Sequence, residues 1–167
     1  MPVNLELKAK ITSPSRILQT LQKLGRASES LLQTDTYFRF KNGRLKLREF
    51  GNGKAELIFY HRNEKKGRRW SNYSILSISD TKKTKEFLKR AFGIDVVVRK
   101  SRLVYYYKGQ ARIHLDRIKK LGMFIEFEVF LKRDRKKAIL LFNELVDVFG
   151  IEGKNVIRGS YADLIRQ

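Results

Sequence analysis

The sequence predicts a mainly β protein of the α+β kind: an eight-stranded antiparallel β-barrel with a few helices packed outside. Most of the chain alternates apolar and polar residues with period two, the mark of strands with two unlike faces. Turn signals separate these runs at Asn42-Gly43, Asn52-Gly53, Gly109 and Gly122. Eight strands in hairpin-like succession would leave unpaired edges in an open sheet, and closing the sheet removes them. The 167 residues fit one domain, 1–167, because domains run to roughly 100–200 residues. Only two prolines occur, Pro2 and Pro14, and no linker or internal repeat divides the chain.

The elements follow in order. The first strand covers Val3 to Ile11, setting Val3, Leu5, Leu7, Ala9 and Ile11 against Asn4, Glu6, Lys8 and Lys10. Ser13-Pro14 opens a helix in the favoured cap-then-proline order, which runs through Ile17, Leu18, Leu21 and Leu24 to Gly25. Strands at Leu32–Phe40 and Arg44–Phe50 join through Asn42-Gly43, a strong hairpin signal. Ala55–Arg62 and Tyr73–Ser79 are the next two strands, and a short helix covers Thr81–Phe92. The last three strands are Val96–Tyr107, Ala111–Ile118 and Met123–Phe130. A helix from Asp134 to Phe149 carries an apolar stripe (Ile139, Phe142, Leu145, Val146 and Phe149) and ends at Gly150. Gly159 to Ile165 holds a final helical turn.

Composition narrows the function. At 42% apolar the chain buries a core and is not a disordered tail. Lys and Arg number 37 against 17 Asp and Glu, so the formal charge is +20 and the expected partner is anionic. With no cysteine, disulfides, thiolate metal sites and cysteine nucleophiles drop out. Neither a signal peptide nor a run of the ~20 apolar residues needed for a membrane span is visible, so a cytoplasmic protein is expected.

Sorting each strand by parity places Glu6 with Lys8, Arg44 with Lys46 and Arg48, and Glu56 with Ile58, Tyr60 and Arg62. It likewise groups Lys100 with Arg102, Arg112 with His114 and Asp116, and Glu126 with Glu128. For any one strand this is an ordinary solvated face. Taken together the faces say more. Carboxylates at i and i+2 lie about 6.5–7 Å apart along a strand, a workable spacing for oxygen ligands around Mg²⁺ or Mn²⁺. Cations on neighbouring strands could then hold a polyphosphate. Period and charge alone do not say whether these faces point inward.

The motifs resemble the CYTH superfamily, the triphosphate tunnel metalloenzymes, and most closely its class IV adenylate cyclase branch. The matching segments are Asn4-Leu5-Glu6-Leu7-Lys8, Gln33-Thr34-Asp35-Thr36-Tyr37-Phe38, Gly43 to Glu49, Ala55 to Arg62, Lys100-Ser101-Arg102, Arg112 to Asp116, Leu121 to Glu128 and Ser160 to Leu164. The resemblance implies an eight-stranded tunnel binding a nucleoside or other triphosphate with Mg²⁺ or Mn²⁺. Glu6, Glu126 and Glu128 would hold the metal, with Asp116 and Asn4 as further candidates. Lys8, Lys46, Arg48, Arg62, Lys100, Arg102 and Arg112 would lie along the phosphates, and Lys8, Arg48 and Arg112 are the expected catalytic cations. The family's opening motif carries a glutamate where this chain has Asn4, whose amide brings no charge to a metal.

Two reactions fit that resemblance. One cyclises ATP to cyclic AMP and pyrophosphate, making the protein a phosphorus–oxygen lyase. The other is hydrolysis of an inorganic or organic triphosphate, thiamine triphosphate included. A homodimer is implied by resemblance to the cyclases, and no membrane role is expected. Nucleic-acid binding is the reading from a different class, with Tyr105 to Tyr107 and the basic loop Asn63–Arg69 as its contacts. No groove-entering motif supports it, and consecutive tyrosines on a strand more often divide between core and surface. His61 and His114 have no partner at metal-ligand spacing and read as half-buried or surface histidines. Gly51-Asn52-Gly53-Lys54 reads as a hairpin rather than a phosphate loop, and Trp70 as an anchor for the basic loop.

Overall fold

The computed structural model describes residues 3–62 and 68–167. Eight strands close into an antiparallel barrel. They are β1 (Val3–Lys10), β2 (Glu29–Phe38), β3 (Arg44–Phe50), β4 (Ala55–Arg62), β5 (Arg69–Ile78), β6 (Ile94–Tyr107), β7 (Ala111–Ile118) and β8 (Gly122–Phe130). Around the ring the order is β1-β5-β4-β3-β2-β6-β7-β8. Four α-helices accompany them: α1 (Pro14–Lys23), α2 (Thr81–Phe92), α3 (Arg135–Phe149) and α4 (Tyr161–Arg166).

Hydrophobic burial turns this barrel inside out. The outward residues of β1, β7 and β8, such as Leu5, Leu7, Ile113, Ile125 and Phe127, pack beneath α1 and α3. Helix α3 contributes Ala138, Leu141, Phe142, Leu145 and Phe149 to that core, starts at an Asp134 cap and stops at Gly150 in the left-handed region. A second outer cluster joins Phe38, Leu45, Leu47 and Ala55 to Leu88 of α2. Most of the apolar half of the alternation is therefore spent outside, and most of the polar half faces the barrel interior.

One end of that interior is closed. Tyr161 and Ala162 of α4 pack against Tyr37, Val98, Ile118 and Phe124, which share the inward parity and form an apolar floor. Ser160 and Asp163 make a capping box that sets the helix, and Arg44 binds Asp163 from β3. Among the described residues, no helix is long and apolar enough to cross a membrane.

Two strands begin three or more residues earlier than the sequence expectation. Strand β5 begins at Arg69 rather than Tyr73, because Ser71 and Asn72 pair with both β1 and β4. Strand β2 spans Glu29–Phe38, because its polar start pairs with the long β6. Pairing on two sides outweighs the low strand preference of Ser and Asn. The Gly51–Lys54 hairpin is as read, with Gly53 at φ 83°. Tyr105 and Tyr107 pack on the outer core while Tyr106 is exposed. Trp70 packs on that core beneath the Arg135 guanidinium, and residues 63–67 of the basic loop lie outside the described residues.

Because α3 covers the barrel through one stripe, its two faces should respond differently to truncation. Leu145→Ala, at a fully buried position, is expected to cost roughly 2–5 kcal/mol in urea denaturation. Leu140→Ala on the same helix, at 67% exposure, should stay within about 0.5 kcal/mol of the parent.

Candidate functional site

The inward faces converge on one cavity. Asn4, Glu6, Lys8, Lys46, Arg48, Lys100, Arg102, Arg112, Glu126 and Glu128 all line it. The structure thus brings together nearly every residue singled out from the sequence. Arg62 ends β4 opposite Ser71, and its side chain lies outside the described residues. Asp116 is fully buried just behind the cavity wall.

The walls divide by charge. Strands β2 and β3, with Lys100 from neighbouring β6, form a cationic wall around Asp35. Arg48 grips that carboxylate with two nitrogens, Nε to Oδ1 at 2.7 Å and Nη2 to Oδ2 at 2.8 Å. Lys46 Nζ adds a contact at 2.9 Å, and Lys100 Nζ lies 3.6 Å away. Burial alone would raise the Asp35 value, but Arg48, Lys46 and Lys100 together hold it well below the usual carboxylate range. The same crowding acts on the lysines. Burial first, then the neighbouring Arg48, lowers Lys46 to about 8, and burial with Arg102 depresses Lys100.

The opposite wall, across the ring on β8 and β1, is acidic. Glu6 stands opposite Glu128 in register, and Lys8 opposite Glu126. Glu126 Oε1 meets Lys8 Nζ at 3.1 Å, and its Oε2 meets Arg102 Nη2 at 2.7 Å. Glu128 Oε2 accepts from Arg112 Nη2 at 2.7 Å. Lys8 and Arg102 overcome the effect of burial and keep Glu126 ionised, while His114 and Arg112 do the same for Glu128. Asp116 takes the rest of Arg102 in a two-pronged pair at 2.6 Å and accepts a hydrogen bond from the Tyr161 hydroxyl at 2.7 Å. Its contacts therefore orient Arg102.

Two residues escaped the sequence reading. Asp35 lies in a quoted motif but received no role. A lone aspartate in the middle of an otherwise strand-prone run was the available signal, since such residues are depleted in strands. His114 was read as half-buried or at the surface, and the structure corrects this. It is 3% exposed and faces inward beside Glu126 and Glu128. Its partners come from β8, reached only through the β7–β8 register, so no spacing along the chain reveals them. His61, by contrast, is exposed on the outer face, packed edge-on to Phe59.

These residues suit a divalent cation. Glu126, Glu128 and His114 each offer a ligand atom, and these atoms all lie within 4.8 Å of one another. His114 Nδ1 is buried and has no hydrogen-bond partner, which leaves it available. Asn4 does line the cavity, buried to within 3% of full.

The chain belongs to the CYTH family, whose domain model matches residues 3–161. Members of that family are adenylate cyclase-like or triphosphatase enzymes, and the tunnel fold implies a divalent metal. A Methanocaldococcus jannaschii protein named "putative adenylate cyclase" is 24% identical over 97% of this chain and 98% of its own length. The PH1012 protein of Pyrococcus horikoshii superposes with a TM-score of 0.85 at 22% identity, covering 96% of this chain and 98% of that one. A "putative adenylyl cyclase" of Hippeastrum, described as revealing a dominant triphosphatase activity, gives a TM-score of 0.70 at 17% identity over 99% and 95%.

Removing Asp35 tests the cationic wall. Asp35→Ala leaves Lys46, Arg48 and Lys100 facing one another without a counter-charge, and should cost roughly 3–5 kcal/mol in chemical denaturation near pH 7. The folded-state value of this carboxylate is depressed, so its contribution is present above the unfolded value of about 3.9 and is lost as pH falls below it. The gap between parent and variant should therefore close in acid.

Proposed function

We propose that the protein is a metal-dependent enzyme acting on a nucleoside triphosphate, cyclising ATP to cyclic AMP and pyrophosphate. The observation that carries this reading is the division of one cavity into facing cationic and acidic walls. Arg48 would grip the phosphate oxygens, with Lys46 and Lys100 beside it, and Arg102, Arg112 and Lys8 would complete the cationic surround. Glu6, Glu126 and Glu128 would hold Mg²⁺ or Mn²⁺, which when bound supplies positive charge against the phosphates.

Room for a nucleoside comes from the wall between these two. Ile58 and Tyr60 on β4 lie directly opposite Ile75 and Tyr73 on β5, and all four line the cavity. An apolar and aromatic patch beside a phosphate site suits a base better than inorganic triphosphate, which has nothing to bury there. In cyclisation the ribose 3′-oxygen bonds to the α-phosphorus while the bond to the bridging oxygen breaks and pyrophosphate leaves. Arg48 and Arg102, which stay charged, would stabilise the charge that grows on the leaving group. The hydroxyl proton needs an acceptor. Asp35, Asp116, Glu126 and Glu128 are held ionised below the usual range, so they are weak bases. Lys46, near 8, is the better acceptor and would serve in its neutral form.

A second reading keeps the same site and changes the nucleophile. Water attacks the terminal phosphorus and the protein is a triphosphatase, the activity described as dominant for the Hippeastrum protein.

Purified protein with ATP and Mg²⁺ or Mn²⁺ separates these readings by product. Cyclic AMP with pyrophosphate is the expected result, whereas ADP with phosphate selects the second. Glu126→Ala and Glu128→Ala should each reduce turnover at least a hundredfold, and full activity in both would remove the site assignment. A depressed lysine is protonated below its value and neutral above it. The rate should therefore rise through about pH 8 and level off, and Lys46→Arg should abolish that rise. Asn4→Glu adds a carboxylate to the acidic wall and should lower the metal concentration for half-maximal rate severalfold in a metal titration.

A further inference from the structure

We propose that His114 is a nitrogen ligand to the bound divalent ion, and that it shifts the site's preference from Mg²⁺ toward Mn²⁺ and heavier first-row ions. The inference rests on the metal site of the proposed function and goes beyond it in naming a ligand and a metal class.

His114 Nδ1 lies 3.6 Å from Glu126 Oε2 and 3.8 Å from Glu128 Oε1, beyond hydrogen-bond length from either. A buried ring nitrogen with no hydrogen-bond partner, aimed at two carboxylates, calls for an explanation. The surrounding contacts suit a cation bound between these groups. Glu126 Oε1 is taken by Lys8 and Glu128 Oε2 by Arg112, which turns the remaining oxygens toward the imidazole. Arg102 Nη2 also touches Glu126 Oε2, using one of its lone-pair directions. With all three ligand atoms within 4.8 Å of one another, one ion with bonds of about 2.0–2.4 Å reaches them together.

Ligand chemistry then decides the metal. Mg²⁺ demands oxygen ligands and gives up its waters reluctantly, whereas an imidazole beside two carboxylates suits transition ions. Asn4 points the same way, because its neutral amide leaves the acidic wall with less charge for a purely electrostatic site.

The chain's two histidines make the test specific, since His61 faces outward. Protein labelled with ¹⁵N-histidine is loaded with Mn²⁺ without nucleotide and examined by pulsed electron paramagnetic resonance. A directly bound ¹⁵N coupling is expected, retained in His61→Gln and lost in His114→Gln. The Mn²⁺ dissociation constant should rise about tenfold in His114→Gln, with less than a twofold change for Mg²⁺. Mn²⁺ bound without histidine coupling, a coupling that survives His114→Gln, or no Mn²⁺ binding would each overturn the proposal. The labelled parent protein decides the matter even if His114→Gln fails to fold. Metal-dependent turnover without the coupling would refute this inference alone, while the coupling without turnover would refute the proposed function alone.

Discussion

Charge compensation inside a closed barrel is the constraint on which the rest of this structure depends. Closure leaves each strand one face for the interior, and here that face carries Lys8, Lys46, Arg48, Lys100 and Arg102 with Glu6, Asp35, Asp116, Glu126 and Glu128. Ions removed from water are costly unless each meets an opposite charge in good geometry. The paired forks of Arg48 on Asp35 and Arg102 on Asp116 meet that condition. Such an interior adds little hydrophobic stabilisation. The core must form outside the barrel, which is why α1 and α3 cover one flank and α2 another.

The two aspartates do different work within that balance. Asp35 holds three cations of one wall at fixed positions, so on the proposed function an incoming polyanion would meet a prearranged surface. Asp116 ties Arg102 to Tyr161, whose ring also lies 4.1 Å from Lys8 Nζ. The short C-terminal helix is thereby connected to both cations beside Glu126. A change in how α4 seats would be felt at the acidic wall through these contacts, although the helix supplies no charge to the cavity itself.

Much of this was legible in the sequence, for a physical reason. Period-two alternation assigns side chains to faces without reference to tertiary structure, so Glu6 with Lys8, Lys46 with Arg48, and Glu126 with Glu128 are each readable from one strand. That these faces point inward was not readable, because a solvated outer face has the same pattern. The resemblance to the CYTH family supplied that direction. His114 and Asp35 were missed because their meaning lies across strands: the imidazole matters through Glu126 and Glu128, and Asp35 through Lys46, Arg48 and Lys100. The start of β5 was missed for the same reason, since its serine and asparagine are held by pairing rather than by preference.

The net charge of +20 has two parts with separate consequences. The interior cations are buried and largely paired, and a duplex lying on the surface could not reach them. What they can meet is the end of a compact, highly charged chain that enters the barrel. The remaining excess is on the outside, where it is screened beyond about 8–10 Å at physiological salt but still raises the local concentration of anions. An inner set that grips and an outer field that gathers fit a small polyanionic substrate. Acidic residues on β1 and β8 then keep the grip from being purely attractive. They repel phosphate unless a metal ion stands between, which on the proposed function would make the cavity selective for triphosphate that arrives with its cation.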